Sequence, residues 1–292
     1  MNSRKLTLML IMTLAMTVQA NAQQIIKFDA PNSGAGTGQG TIPAGINNAG
    51  AITGTVTDNE NGTHGFVGTL AGGFIDFDAP GADPVVGGTN PAGINDLGVV
   101  AGFDFDTNSV GHSFVRTPDG RITILDDSQP PAGIPAGTGA YQGTFFEGIN
   151  DLGVIVGQYV DGNYVPHGLV RAPDGKFTTL DPPGSVATYP FNINNFGVIA
   201  GLFYDTNGVG HGFVRTAGGE ITTFDPPNSF TGPTSYGTYS AFINDLGVIA
   251  GSYFDASTYV ETATSARPMV NLPSLPRRVR ARSSLSMSQA LT

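Results

Sequence analysis

Histidine is the side chain best suited to hold a metal or move a proton near neutral pH, and this 292-residue chain has four. All four stand in versions of one phrase: His64 in THGFVG, His112 in GHSFVR, His167 in PHGLVR and His211 in GHGFVR. An aspartate precedes each by six residues (Asp58, Asp106, Asp161, Asp205), and another follows 14 residues later (Asp78, Asp126, Asp181, Asp225). A zinc centre needs several ligands about 2 Å from one ion. Histidines that recur once per repeat sit at equivalent points of successive units, on the order of 15 Å apart in a small propeller, so they cannot share a metal. The expected role is structural: a buried polar ring must find a partner, and the aspartates supply one in each unit.

Other residues with chemical potential are fewer. Glu147 is an acid at a slot where the other units have Ala44, Ala92, Phe191 and Ala241, and a catalytic site should break repeat symmetry in this way. Glycoside hydrolysis, however, needs two carboxyls roughly 5 to 10 Å apart, and no partner for Glu147 can be named from the sequence. Asp104-Phe105-Asp106-Thr107-Asn108 and Asp58-Asn59-Glu60-Asn61-Gly62 have the alternating oxygens of a calcium loop but not its distant bidentate glutamate; turn formation accounts for them. There is no phosphate-binding glycine loop and no serine or cysteine nucleophile motif. No cofactor and no metal is implied.

These residues lie within a regular frame. Taking Ile46, Ile94, Ile149, Ile193 and Ile243 as anchors, the units are 48, 55, 44 and 50 residues apart. Glycine recurs four and eight residues after each anchor, aspartate at twelve, the histidine at eighteen in four units, and a Phe-Asp or Leu-Asp pair closes the unit. Length varies only between the closing pair and the next anchor. Repetition of this period signals a propeller or solenoid. Within a unit, VVAGFDF, HSFVRT and RITILD read as strands, separated by Asp-Thr-Asn and Pro-Asp-Gly turn chemistry. A further strand before each anchor, such as GTFFEGI, makes four. The closing strand has apolar slots three residues apart, which requires a bulge or burial on both faces. The expected fold is all-β, a propeller-like array of about five repeats across residues 23–256, with an open β-solenoid as the alternative.

The recurring GIN-(D/N)-x-G, HGFVR and closing FD resemble the HAF-repeat family of extracellular proteins, over roughly Gln24 to Asp255. In this chain the His-Ala-Phe triplet of that family is replaced by His-Gly-Phe, His-Ser-Phe or His-Gly-Leu. The resemblance implies an exported repeat protein and carries no catalytic residues with it.

Arg4 and Lys5, the apolar run Leu6 to Val18 and Ala20-Asn21-Ala22 read as an export signal over residues 1–22, too short to span a bilayer. The expected location is therefore outside the cytoplasm, extracellular or periplasmic. Between Gln23 and Val260 six basic residues face 22 acidic ones, which argues against nucleic acid as a partner. With 42 glycines, 20 prolines and no cysteine, the fold relies on its core and its ladders rather than on disulfides. From residue 257 the repeat phrase stops, and residues 257–292 are expected to form a disordered Arg, Ser and Pro-rich tail. Gln24 to Asp29 match a closing strand slot for slot, so they are expected to complete the fifth unit, with Phe28 beside Val248 to Tyr253.

Three functions remain open on these grounds: a glycan- or peptide-binding scaffold, a carbohydrate-active enzyme around Glu147, or a purely structural matrix repeat. The first draws on aromatics in the variable segments, above all Tyr141, Phe146, Tyr189, Tyr236 and Tyr239.

Overall fold

A computed structural model describes residues 25–125, 137–232 and 237–266. They form β-strands and turns, and no helix among them is long and apolar enough to cross a membrane. The first unit folds into β1 (Gly40–Ile46), β2 (Ala51–Thr57), β3 (Thr63–Thr69) and β4 (Gly73–Phe77). The second gives β5 (Thr89–Ile94), β6 (Val100–Phe105), β7 (Gly111–Arg116) and β8 (Ile122–Ile124). The third gives β9 (Gly143–Ile149), β10 (Ile155–Val160), β11 (Pro166–Arg171) and β12 (Phe177–Thr179). The fourth gives β13 (Ser185–Ile193), β14 (Ile199–Asp205), β15 (Gly210–Arg215) and β16 (Ile221–Phe224). The fifth has three strands, β17 (Thr238–Ile243), β18 (Ile249–Phe254) and β19 (Glu261–Ala266). Each unit is an antiparallel meander, and the first strands β1, β5, β9, β13 and β17 surround one cavity. This radial arrangement of small sheets is a five-bladed β-propeller, as the period of the sequence predicts.

The asparagine after each anchor holds the blades together. Its Oδ1 accepts two backbone N–H groups of its own turn, as when Asn150 receives Leu152 at 3.1 Å and Val154 at 3.0 Å. Its Nδ2 donates across the gap to the next blade: Asn47 to the carbonyl of Asn95 at 2.9 Å, Asn95 to Asn150 at 3.0 Å, Asn150 to Asn194 at 3.1 Å and Asn194 to Asn244 at 3.1 Å. One residue later a second belt runs in parallel. The backbone N–H of Asn48, Asp96, Asp151 and Asn195 donates to the side-chain oxygen of its counterpart in the next blade at 2.8 to 2.9 Å. The first belt needs a side chain that both accepts and donates, so it is asparagine in all five units. The second needs only an acceptor, so Asp and Asn alternate there. The glycine that ends this turn has φ between 72° and 78° in every blade, a conformation costly for any residue with a Cβ.

The cores lie between blades. Phe77 of β4 meets Phe114 of β7 edge to face at 6.0 Å, and Arg116 lies 5.0 Å over the Phe77 ring. Leu125 reaches the Phe146 and Ile155 cluster, Leu180 the Phe203 and Phe213 cluster, and Phe224 the Ile243 and Ile249 cluster. The closing strand thus has apolar contacts on both faces, each partly buried. Ile221, for example, looks back into the interface of blades three and four, whereas Phe224 looks forward into the next.

The chain ends depart from the expectation. Residues 25–30 form no strand, and Phe28 lies on blade one, stacked on Phe74 at 4.8 Å and edge-on to Phe66 at 6.3 Å. Phe28 does for blade one what Phe77 does for blade two, but among the described residues it completes no fifth sheet. The reason lies in β19, where Thr264 and Ser265 stand at the places of Phe213 and Val214 of β15, so a closing strand would have little apolar surface to bury there. Residues 257–266 are a correction in the other direction: assigned to the tail, they form a turn one residue longer than its equivalents, followed by β19 in antiparallel register with β18. The expected leader and the remainder of the tail lie outside the described residues.

Asn150→Asp keeps the turn-closing oxygen, deletes the donor to Asn194 and sets a carboxylate against that carbonyl. It should lower stability by about 1–3 kcal/mol, whereas Asp151→Asn keeps its acceptor and should change it by less than about 0.5 kcal/mol. Urea denaturation of the two variants checks this; equal losses would remove the distinction between the belts.

Candidate functional site

Antiparallel alternation assigns each connection to one end of the propeller. The asparagine turns lie at the lower end. The inter-blade loops and the turns joining the second and third strands lie at the upper end.

At the upper end His64, His167 and His211 each stand between two aspartates. His64 Nδ1 is 2.8 Å from Asp78 and its Nε2 3.3 Å from Asp58. His167 is 3.0 Å from Asp181 and 3.6 Å from Asp161, and His211 is 2.8 Å from Asp225 and 3.7 Å from Asp205. His112 lies 3.7 Å from Asp106; its second aspartate, Asp126, is outside the described residues. The earlier aspartate is committed to the backbone as well: Asp58 Oδ1 accepts the N–H of Gly62 at 2.7 Å and that of Glu60 at 2.9 Å. These bonds, that of Gly62 above all, hold the Asp58 carboxyl below the usual range. Burial works against a charged His64 ring, but the hydrogen bond and charge of Asp78, joined by those of Asp58, outweigh it and raise its pKa. The clusters of His64, His167 and His211 each tie the end of one hairpin to the end of the closing strand. No group of three potential metal ligands converges among the described residues.

The second site is on the axis. In every blade the first strand slips its register two residues before the anchor: between Pro43 and Gly45, Pro91 and Gly93, Phe146 and Gly148, Pro190 and Asn192, and Ser240 and Phe242. The skipped residue is a β-bulge, which re-aims a side chain without breaking the sheet. The glycine opposite is obligatory, since a Cβ on Gly157 would come 2.0 Å from the carbonyl oxygen of Phe145 and one on Gly54 2.1 Å from that of Ile42. The bulged residues Ala44, Ala92, Glu147 and Phe191 line a cavity of about 460 Å3, together with Ile46, Ile94, Ile149, Asn192 and Phe242. Glu147 is half-buried and lines this open-ended space. Burial pushes its pKa up to about 7. Among the described lining residues it is the one carboxyl.

The aromatics named from sequence divide. Phe146 is 1% exposed and stacks on Phe177, a core residue and not a rim contact. The residue skipped by the ladder is the next one, Glu147, so the cavity receives the acid and Phe146 stays in the sheet's regular register. Tyr189 and Tyr239 are half-buried, beside Phe191 and Tyr204 and beside Phe254. Tyr236 lies outside the described residues. Tyr141 is 64% exposed, and the structure adds two tyrosines the sequence did not single out, Tyr164 at 60% and Tyr259 at 69%. All three lie at the upper end with φ of 62°, 62° and 54°. Their repeat-mates identify these as left-handed slots. Gly38 in GTGQGT matches Tyr141 in GAYQGT, and Asn61, Ser109 and Gly208 match Tyr164. Aligning the loops of the units would have found them. The same comparison reveals a threonine five residues before every anchor; Thr41 and Thr89 accept the N–H of Ala30 and Ala79, each at 2.9 Å.

Because the His64 pKa is raised on folding, its cluster contributes stability that is full below the unfolded value near 6.5 and fades as pH rises through the folded value. His64→Gln should therefore cost most near pH 6 and least near pH 9, read as the difference in melting temperature; a difference that grew with pH would reverse the assignment.

No protein-family model and no curated protein matches the chain. Among solved structures, it is similar to a putative TolB from Agrobacterium tumefaciens at 13% identity, over 78% of this chain and 76% of that one, with a TM-score of 0.53. Virginiamycin B lyase from Staphylococcus aureus (17% identity, 78% and 71% covered, TM-score 0.44) and TolB from Acinetobacter baumannii (10%, 78% and 55%, 0.45) are looser likenesses. At such identities the first likeness bears on architecture alone, and that architecture is the propeller.

Proposed function

We propose that this β-propeller is an exported, non-enzymatic binding protein of the HAF-repeat kind, which holds extracellular glycan chains on its upper end. The observation that carries this reading is the set of three exposed tyrosines in left-handed backbone. The left-handed conformation costs a residue with a Cβ roughly 1–2 kcal/mol; the mates of Tyr164 are Asn61, Ser109 and Gly208, and that of Tyr141 is Gly38, so those units keep no aromatic there. Strain retained at an exposed aromatic points to use of the ring. Tyrosine offers a flat face for sugar stacking and a hydroxyl for its polar rim. The single carboxyl on the axis supports binding without hydrolysis, and the leader-like residues 4–22 support export. The chain's acidic surface favours neutral or basic glycans over anionic ones.

Replacing Tyr164 by Gly, the residue at its place in blade four, should leave stability unchanged or raise it by up to about 1 kcal/mol. The same change should weaken glycan binding roughly two- to tenfold, the worth of one stacked ring at about 0.5–1.5 kcal/mol; Tyr141→Gly should behave alike. A glycan array read with the wild type and both variants tests this. Retention of a peptide but no glycan would redirect the reading to peptides, and no ligand at all would leave the structural matrix role.

A further inference from the structure

The axial cavity lies apart from the tyrosine-bearing end, and its walls are chemically specific. Its volume of about 460 Å3 is that of a small-molecule site. Its lining is apolar in the main, with Ala44, Ala92, Ile46, Ile94, Phe191 and Phe242 among it, beside backbone of Gly45, Gly93 and Gly148. Ile46 is 68% and Phe242 64% exposed, so apolar surface is available to an occupant. Into this lining the bulge of β9 delivers one carboxyl. The fold does not need it there, because blades one and two have alanine at the same bulge. Among the described residues no hydrogen bond or ion pair satisfies it, and no Lys or Arg lines the cavity.

We infer that the axial cavity binds a small apolar amine, held as its ammonium by Glu147 and resting against the alanine, isoleucine and phenylalanine residues that line it. An anion has no counter-charge here and would face the carboxyl. A neutral hydrocarbon would fill the walls and leave the carboxyl without a partner, at a cost. An ammonium satisfies it, and the faces of Phe191 and Phe242 are suited to a cation. The Asn192 amide, whose Oδ1 accepts the Ile243 N–H at 3.3 Å, adds a polar group to the wall. At the lower end the cavity adjoins a polar vestibule of about 190 Å3 that shares Ile46, Ile94, Ile149 and Asn192 and contains Asp96, Asp151 and Asp245. These acids make an entrance that concentrates cations and repels anions.

The reading gives a pH dependence. With the Glu147 pKa near 7, the empty site is largely protonated at pH 6 and largely ionised at pH 8, and an ammonium prefers the ionised form. Glu147 is the titratable group of the cavity wall; Asp96, Asp151 and Asp245 of the vestibule are the others that face an entering cation. Titration calorimetry of the full chain with hexylammonium, hexanol and hexanoate tests the assignment. Hexylammonium should bind one to one, about tenfold more tightly at pH 8 than at pH 6. Hexanoate should not compete. Glu147→Gln should weaken hexylammonium at least tenfold at pH 8 and leave hexanol unchanged. Glu147→Ala reproduces the residue of blades one and two and secures the comparison if the glutamine variant folds poorly; melting by circular dichroism reports folding for both. Absence of hexylammonium binding, equal affinity in both variants, or hexanoate binding as tightly would each overturn the inference. Because Tyr141 and Tyr164 are untouched, these outcomes leave glycan binding at the upper end to its own test.

Discussion

A primary amide can accept with one atom and donate with the next, and the propeller is assembled on that property. In Asn47, Asn95, Asn150 and Asn194 the oxygen closes the turn that begins the second strand, and the nitrogen reaches the backbone of the following blade. One side chain therefore sets both a hairpin and the angle between neighbours. The inner strands are held at a common distance from the axis, and the cavity among them follows. These asparagines are buried, where an unmade hydrogen bond is most costly, so the turn and the blade contact form together or not at all.

The same logic gives the array a direction. Each blade presents its inner face to the one before it, and the preceding closing residue covers that face. Ile94, Ile193 and Ile243 are 6–8% exposed and Ile149 is half-buried, whereas Ile46, with no blade ahead of it in sequence, is 68% exposed. Phe28 and Ala30 supply part of the missing cover from the chain that precedes the first blade. At the far end β19 carries Thr264 and Ser265 in place of Phe and Val, and the fifth sheet ends at three strands. Stability in such an array is a sum of blades and of the interfaces between neighbours, and the two terminal blades have the poorest interfaces.

Much of this was legible in the sequence. Fixed spacing from each anchor to its closing aspartate located the strands, and apolar residues three apart in the closing strand called for a bulge or for cover on both faces; Ile221 and Phe224, partly buried in two different clusters, show the second. The alternation of Asp and Asn beside an unvarying Asn held the two-belt bonding in plain view. The bulge was not legible. It depends on which residue of one strand faces which of the next, and Gly-Thr-Phe-Phe-Glu-Gly-Ile offers no local sign that Phe146 is core and Glu147 axial. Closure by the N-terminus was misjudged because matching slots say what a segment packs against, not whether a neighbouring edge has apolar surface to receive it. Phe28 found its face; β19 had none to offer.

The bulges have one more implication. A residue skipped by the ladder makes no cross-strand bond and belongs to no core between blades, so its identity is nearly free of the fold. Ala44, Ala92, Glu147 and Phe191 already differ as much as side chains can, from a methyl to an acid to a ring, on backbones of the same register. The scaffold thus separates its grammar from its vocabulary: turns and belts are spelled alike in every unit, while the lumen is written one character per blade and can be rewritten by single substitutions.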